Sequence, residues 1–333
     1  MKYFLTGATG FIGGHIARQL RQADHEVAAL VRRPDKAAAL TALGVTLLPG
    51  DITDKESMRR GMAGVDGVFH VAAWYKLGVG DRSAAALINV EGTRQVLELT
   101  QELQVPKAVY TSTLAVFSDT RGKLVDESYR FTGKHLSEYD RTKWLAHYEV
   151  ALPMIQQGLP LVIVLPGLVY GPGDHSRVRE TFVRYLQRKL PLIPRSTAYC
   201  WSHVEDIARG HILAMERGKP RESYILAGPA HSLIEAFELA ERITGIRAPR
   251  WRVSPVILQI LARLMAIAGA VSPLPAEYHP ENLRAIAGVT YLGDPSKAQR
   301  ELGYAPRPLA EGLQETLRYE MERLGMRSLV EHG

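Results

Sequence analysis

The chain has 333 residues, 46% hydrophobic and 23% charged, with a formal net charge of +6; that suits one large domain or two closely joined ones around an ample core. The positive charge is spread along the chain without a basic arm, so nucleic-acid binding is not expected. Cys200 is the only cysteine, which excludes an intrachain disulfide and points to a reducing, cytoplasmic compartment; it reads as a small, partly buried side chain rather than a nucleophile. The N-terminus enters a strand at once, so no signal peptide is expected.

The first half alternates. Apolar runs at Tyr3–Leu5, Val27–Val31, Val45–Leu48, Gly67–Val71, Ala108–Thr111 and Leu161–Leu165 predict buried parallel strands. Helical spacing predicts helices over Ile12–Gln22, Asp35–Leu43, Lys55–Met62, Ser83–Leu103 and Tyr139–Gln157. Pro34 sits where a first helical turn tolerates proline, and Gly44 where that helix should end. The alternation predicts an α/β fold, a doubly wound parallel Rossmann sheet, with ligands at the carboxyl ends of its strands. After Leu165 prolines at 166, 172, 191 and 194 break the chain into shorter elements. The expected division is therefore a dinucleotide-binding domain over 1–165, with a return segment near 195–215. Residues 166–333 then form mainly a smaller, mixed α/β substrate domain. The most apolar stretch, Val253–Leu274, is too interrupted to span a bilayer. It reads as a buried or lid-forming helix; membrane contact is not favoured, although Ile257, Leu261, Leu264 and Ile267 share one face.

Residues 6–13 read Thr-Gly-Ala-Thr-Gly-Phe-Ile-Gly. Strand, glycine turn and helix follow in the order a dinucleotide-binding βαβ unit requires. Gly7 permits the tight turn, Gly10 lets backbone approach a pyrophosphate, and Gly13 lets helix pack on strand. The helix N-terminus then offers free N–H groups to phosphate.

Tyr139 and Lys143, four apart, share one face of a predicted helix. A free phenol, with a pKa of about 10, is a poor acid or base near neutrality. The Lys143 ammonium, with the positive ring of an oxidised nicotinamide, would lower it, and Lys143 would also hold the nicotinamide ribose. At the end of the Ala108–Thr111 strand, a hydroxyl of Thr111, Ser112 or Thr113 would steady a substrate carbonyl oxygen. Trp74 and Tyr75 put two aromatic rings near the same edge, either to stack on a ring substrate or to pack between domains.

The longer Gly-x-x-Gly-x-x-Gly spacing, with Thr111-Ser-Thr-Leu-Ala-Val-Phe117 and Tyr139-x-x-x-Lys143, resembles the extended short-chain dehydrogenase/reductases, in their dihydroflavonol reductase-like branch. The resemblance covers essentially the whole chain. It implies Thr113, Tyr139 and Lys143 as the catalytic set. It puts the cofactor on Gly7, Thr9, Gly10, Phe11, Ile12 and Gly13, and on Asp51 and Ile52 near the adenine. Val71, Ala72 and Ala73 would line its ribose. Pro166, Leu168 and Val169 would cross the nicotinamide, and Asn89 and Thr111 are further cofactor candidates. Trp74, Tyr75 and Ser112 are substrate candidates. The resemblance also implies a homodimer through the helices carrying Tyr139 and following Pro172, and no metal.

Where NAD-selective enzymes carry an acid at the end of the second strand, this chain reads Val31-Arg32-Arg33-Pro34. Two guanidiniums suit a ribose 2′-phosphate, so NADP is favoured over NAD, with Asp35 leaving dual use open. The leading expectation is an NADPH-dependent reductase acting on the carbonyl of a small molecule, or on the hydroxyl in reverse. Sugar dehydration is disfavoured, because Leu114 and Ala115 stand where the resemblance would require Asp-Glu. Two alternatives stay open: a nucleotide-sugar epimerase with retained NAD, and a non-catalytic dinucleotide sensor.

Overall fold

The computed structural model describes residues 1–75, 82–269 and 287–326. Its centre is a seven-stranded, wholly parallel sheet. In chain order the strands are β1 (Lys2–Thr6), β2 (Glu26–Val31), β3 (Thr46–Pro49), β4 (Gly67–His70), β5 (Ala108–Thr111) and β6 (Leu161–Pro166). Of the later strands, β7 (Leu168–Tyr170), β8 (Leu192–Pro194) and β9 (Ala198–His203) lie outside this sheet, whereas β10 (Ser223–Leu226) joins it. The spatial order is β10-β6-β5-β4-β1-β2-β3. The order reverses between β1 and β4, which is where a doubly wound sheet opens a crevice for ligand.

Strand alternation sorts the apolar residues onto two faces. Phe4, Val68, Tyr110 and Ile163 pack beneath the helices Lys55–Met62, Thr93–Glu102 and Glu138–Leu145. Leu5, Phe69, Val109 and Val162 pack against the helices Phe11–Gln22 and Val204–Arg217. Helix Val204–Arg217 is pinned to helix Phe11–Gln22 by an Arg18–Glu205 ion pair of 2.8 Å and by Gln19 Nε2 donating to the Glu205 carbonyl. The C-terminal part builds a smaller sheet in which β9 pairs with β7, β11 (Ala230–Ser232) and β13 (Thr290–Tyr291). Beneath it, the helices Arg177–Leu186, Leu233–Thr244 and Leu309–Arg323 enclose a third core around Phe182, Trp201, Phe237 and Leu313.

Four sequence expectations change. β10, expected in the substrate domain, extends the main sheet; Tyr224, Ile225 and Leu226 are fully buried in it. The helix expected over Asp35–Leu43 is a 3₁₀ turn, Pro34–Lys36, followed by the short helix Ala38–Ala42, and Gly44 ends it at φ +74°. Each long helix contains one widened π turn, Leu87–Gly92 and Ala146–Ala151. The second of these directly precedes Leu152 and Pro153, and proline has no N–H to continue an α-helical ladder. The apolar stretch forms the helix Pro255–Gly269, which is not buried all round. Leu258 and Ala262 are inside, whereas Val256, Ile257, Ile260 and Leu264 are 50–60% exposed. Leu261 is half-buried, and residues 270–274 and the Ile267 side chain lie outside the described residues.

Candidate active site

The glycine turn closes where β1 meets the helix Phe11–Gln22. Gly7 has φ +77°, and a Cβ there would lie 2.6 Å from the Ala72 nitrogen. A Cβ on Gly13 would lie 2.1 Å from the Gly7 carbonyl oxygen, so helix and turn touch backbone to backbone. Gly10 is the helix N-cap, with no side-chain cap and no acid in the first turn. The first N–H groups are thus available to an anion. Thr9 and Gly10 are exposed, and Phe11 and Ile12 half-buried. This turn fits a dinucleotide pyrophosphate.

Thr6 builds the floor of the crevice. Its Oγ1 accepts the N–H groups of Val71 and Ala72, both at 3.2 Å, and so ties the ends of β1 and β4 together. Ala73 is exposed beyond them. Thr6 Oγ1 also lies 2.8 Å from His70 Nδ1, and His70 Nε2 lies 3.0 Å from Thr93 Oγ1. With two N–H groups already on Thr6 Oγ1, its own proton goes to His70 Nδ1, which assigns the ring proton to Nε2. Burial, assisted by Lys143, lowers the His70 pKa to about 3, so the ring is neutral. Thr93 in turn bonds Tyr110, whose ring stacks on His70 at 5.5 Å.

Tyr110 leads to Lys143. Lys143 Nζ donates to the Tyr110 hydroxyl at 3.1 Å and to the Thr111 carbonyl at 2.7 Å. Burial lowers the Lys143 pKa to about 7. Tyr139 carries a hydrogen bond to Thr113, and burial holds its phenol well above the usual range. The expected pairing of Lys143 with Tyr139 is therefore not the one formed: the ammonium is committed to Tyr110 and Thr111, and desolvation outweighs it at Tyr139.

The Lys143 shift has a consequence for stability. Between about pH 7 and the ordinary lysine value of 10.5 the unfolded chain holds a proton that the folded chain does not. Stability therefore rises with pH across that window through this group, and below it the contribution is constant. Urea unfolding of wild type and Lys143→Met should show wild type gaining on the variant from about pH 7 to about pH 10; a constant difference contradicts it.

The local fold explains where Tyr139 sits. Ser137 caps the helix Glu138–Leu145 by accepting the Asp140 N–H at 3.0 Å, and its hydroxyl donates to Asp140 Oδ1 at 2.7 Å. The cap puts Tyr139 in the first turn, facing Tyr75 edge-on at 4.9 Å. Buried Asp140 also accepts the Tyr291 hydroxyl at 3.1 Å, and Tyr291 stacks with Tyr199 at 6.0 Å. Tyr75, Tyr139, Tyr199 and Tyr291 thus gather four phenol rings where the sheet meets the C-terminal part.

Other candidates lie elsewhere. Ser112 turns away: its Oγ lies 2.9 Å from His147 Nδ1, and the residue is 3% exposed, because alternation on the strand sends it beneath the helix carrying Lys143. The Thr111 hydroxyl goes to the opposite face, 2.9 Å from His211 Nε2, leaving only its carbonyl to Lys143. Asn89 lies in the first π turn and spends its amide on structure. It accepts the Trp74 N–H at 2.7 Å and donates to the Trp74 carbonyl and to Thr142 Oγ1. Trp74 is 8% exposed and packs inward; Tyr75 reaches the phenol cluster.

Arg32 is 74% exposed and 4.0 Å from Asp51, whereas Arg33 is drawn to Asp35 at 3.0 Å. Asp51 also accepts from Thr53, and Ile52 is buried against Gly92. Pro166 is buried, and Leu168 and Val169 are half-buried in β7. Cys200 is buried and its thiol pushed up to about 11, so it is held as the neutral thiol.

Sequence reasoning met His70 and Tyr110 only as members of longer segments, without a role of their own, and passed over Thr93, Asp140, His147, Tyr199 and Tyr291. The polar signal for His70 was present in an otherwise apolar strand; Tyr199 and Tyr291 come from distant segments and carry no local mark.

Fold, glycine turn and sheet-edge hydroxyls together define a dinucleotide-dependent enzyme of the Rossmann class. Residues 3–227 match the model of the NAD dependent epimerase/dehydratase family. The chain is 33% identical over 330 residues to a "putative dihydroflavonol 4-reductase" of Synechocystis sp., covering 95% of this chain and 94% of that one. The crystal structure of gox2253 superposes with a TM-score of 0.86 at 30% identity, over 98% of this chain and 99% of that one. DesIV of Streptomyces venezuelae, a dTDP-glucose 4,6-dehydratase solved with NAD, gives 0.77 at 25% identity over 98% of both. The chain belongs to the NAD dependent epimerase/dehydratase family, and it is an NAD(P)-dependent oxidoreductase of the extended short-chain dehydrogenase/reductase type.

Proposed function

We propose that the protein is an NADPH-dependent reductase that converts the carbonyl of a small, planar or ring-bearing molecule to the alcohol. The observation that carries the reading is Arg32, exposed at the carboxyl end of β2 in the place of a ribose-binding acid. Its guanidinium suits a 2′-phosphate bidentately. Arg33 can join it, since an exposed pair such as Arg33–Asp35 is worth only about 0–1 kcal/mol. The Synechocystis relative is named a putative dihydroflavonol 4-reductase, and a reductase agrees with the direction.

The glycine turn and Lys143 would hold a nicotinamide dinucleotide, which when bound would supply hydride to a carbonyl carbon. Tyr139 gives its phenolic proton to the carbonyl oxygen, completing the alcohol. Thr113, already hydrogen-bonded to Tyr139, holds the same oxygen and stabilises its developing charge. Lys143, whose ammonium is committed to Tyr110 and Thr111, would hold the ribose of a bound cofactor. Thr6, His70, Thr93 and Tyr110 fix Lys143 from below. Tyr75, Tyr199 and Tyr291 bound the substrate with ring faces and edges, which suits a planar, weakly charged molecule.

Initial rates on a panel of ketones and aldehydes, with NADPH and NADH in parallel, test the reading. NADPH should give the higher kcat/KM, and Arg32→Ala should cut the NADPH value by roughly ten- to a hundredfold, the cost of one lost charged hydrogen bond, while NADH changes little. Equal losses with both cofactors contradict it.

A further inference from the structure

We infer that the helix Pro255–Gly269 and the adjoining ribbon of β8 and β12 (Trp251–Val253) form a docking surface for an anionic lipid bilayer, binding in the interface without crossing it. β12 pairs with β8 so that Trp251 lies beside Leu192, and both are exposed, at 74% and 42%. Directly after the ribbon the helix adds Val256, Ile257, Ile260 and Leu264, each at least half exposed. At ~100° per residue these four fall within an arc of about 100°, and Leu258 and Ala262 fill the opposite, inward side. Large apolar residues gathered on one exposed patch call for a partner.

Charge selects the partner. Arg263 borders the apolar arc on the helix, and Arg250 and Arg252 flank Trp251; all three are exposed. Arg195 is exposed as well, and its N–H donates to the Val253 carbonyl, which places it at the end of the same ribbon. Glu238 neutralises Arg252 at 2.8 Å. No carboxylate occurs between Glu241 and Glu277, nor between Glu180 and Glu205, so the segments that build the patch carry a one-signed charge. A second copy docked face to face would bring these arginines against their equivalents, a repulsive arrangement. A bilayer of anionic lipid offers hydrocarbon to the apolar arc and phosphate to the arginines, with Trp251 at the depth tryptophan prefers. Among the described residues no helix is long and apolar enough to cross a membrane, in keeping with a surface mode.

The test is co-sedimentation of the full-length protein with vesicles. With phosphatidylcholine vesicles containing phosphatidylglycerol the protein should pellet, and with phosphatidylcholine alone at least about tenfold less. The double variant Ile257→Glu/Ile260→Glu should lose binding, and Arg250→Ala/Arg263→Ala should lose about tenfold or more at low salt. Both changes fall on exposed positions, so an unchanged melting temperature and retained cofactor binding will show that the fold survives. Wild type left in the supernatant with anionic vesicles overturns the inference. So does undiminished binding by Ile257→Glu/Ile260→Glu, or that variant changing only from dimer to monomer, which would assign the patch to a second copy.

Discussion

Tyr139→Phe should lower kcat by about 10²–10⁴-fold, the usual contribution of a positioned general acid, while the cofactor binds as before. The phenyl ring still packs edge-on against Tyr75, so the helix and the phenol cluster stay in place. What disappears is the O–H that Thr113 holds. The loss should fall on kcat and kcat/KM together, because the proton is needed only as charge develops on the carbonyl oxygen. Fluorescence titration with NADPH should give the same Kd for both proteins. Near-normal turnover in the variant would remove Tyr139 from the chemistry.

Gly13→Ala should damage cofactor binding as severely as Tyr139→Phe damages turnover. The new methyl would sit 2.1 Å from the Gly7 carbonyl oxygen and 3.0 Å from the Ala8 Cα, both backbone atoms that cannot rotate away. Helix Phe11–Gln22 must therefore move off β1. Overpacking of this kind costs about 1–3 kcal/mol of stability. The same movement withdraws the N–H groups at the helix start, and each charged hydrogen bond lost costs roughly ten- to a hundredfold in affinity. A parallel change at Gly14, where a Cβ would lie 3.4 Å from the Ala8 carbonyl oxygen, should be mild. If Gly13→Ala binds NADPH like wild type, the close turn is not what holds the pyrophosphate.

The sheet was legible because its evidence is local. Apolar runs and glycine turns each act within a few residues, and strand β1 followed by Gly7, Gly10 and Gly13 needs no distant partner. β10 was hidden because Ser-Tyr-Ile-Leu lies well beyond Leu165, where the strand–helix alternation ends; only pairing with β6, some sixty residues earlier, shows that it belongs to the main sheet. Ser112 illustrates a different limit. Its place at the strand end was readable, but which face it takes depends on the helix that brings His147 to it. The phenol cluster needs Tyr75, Tyr199 and Tyr291 from three separate segments, and no periodicity connects them. The exposed side of the helix Pro255–Gly269 was obscured by its own composition: it is apolar nearly all round, so only the fold shows which arc is left outside.

The most direct test of the account measures what the purified protein carries and what it consumes. The protein should come free of retained NAD, and with a reducible carbonyl substrate it should oxidise NADPH stoichiometrically as alcohol forms, with NADH poorer and Tyr139→Phe nearly silent. Retained NAD together with interconversion of sugar epimers, without added cofactor, would contradict it.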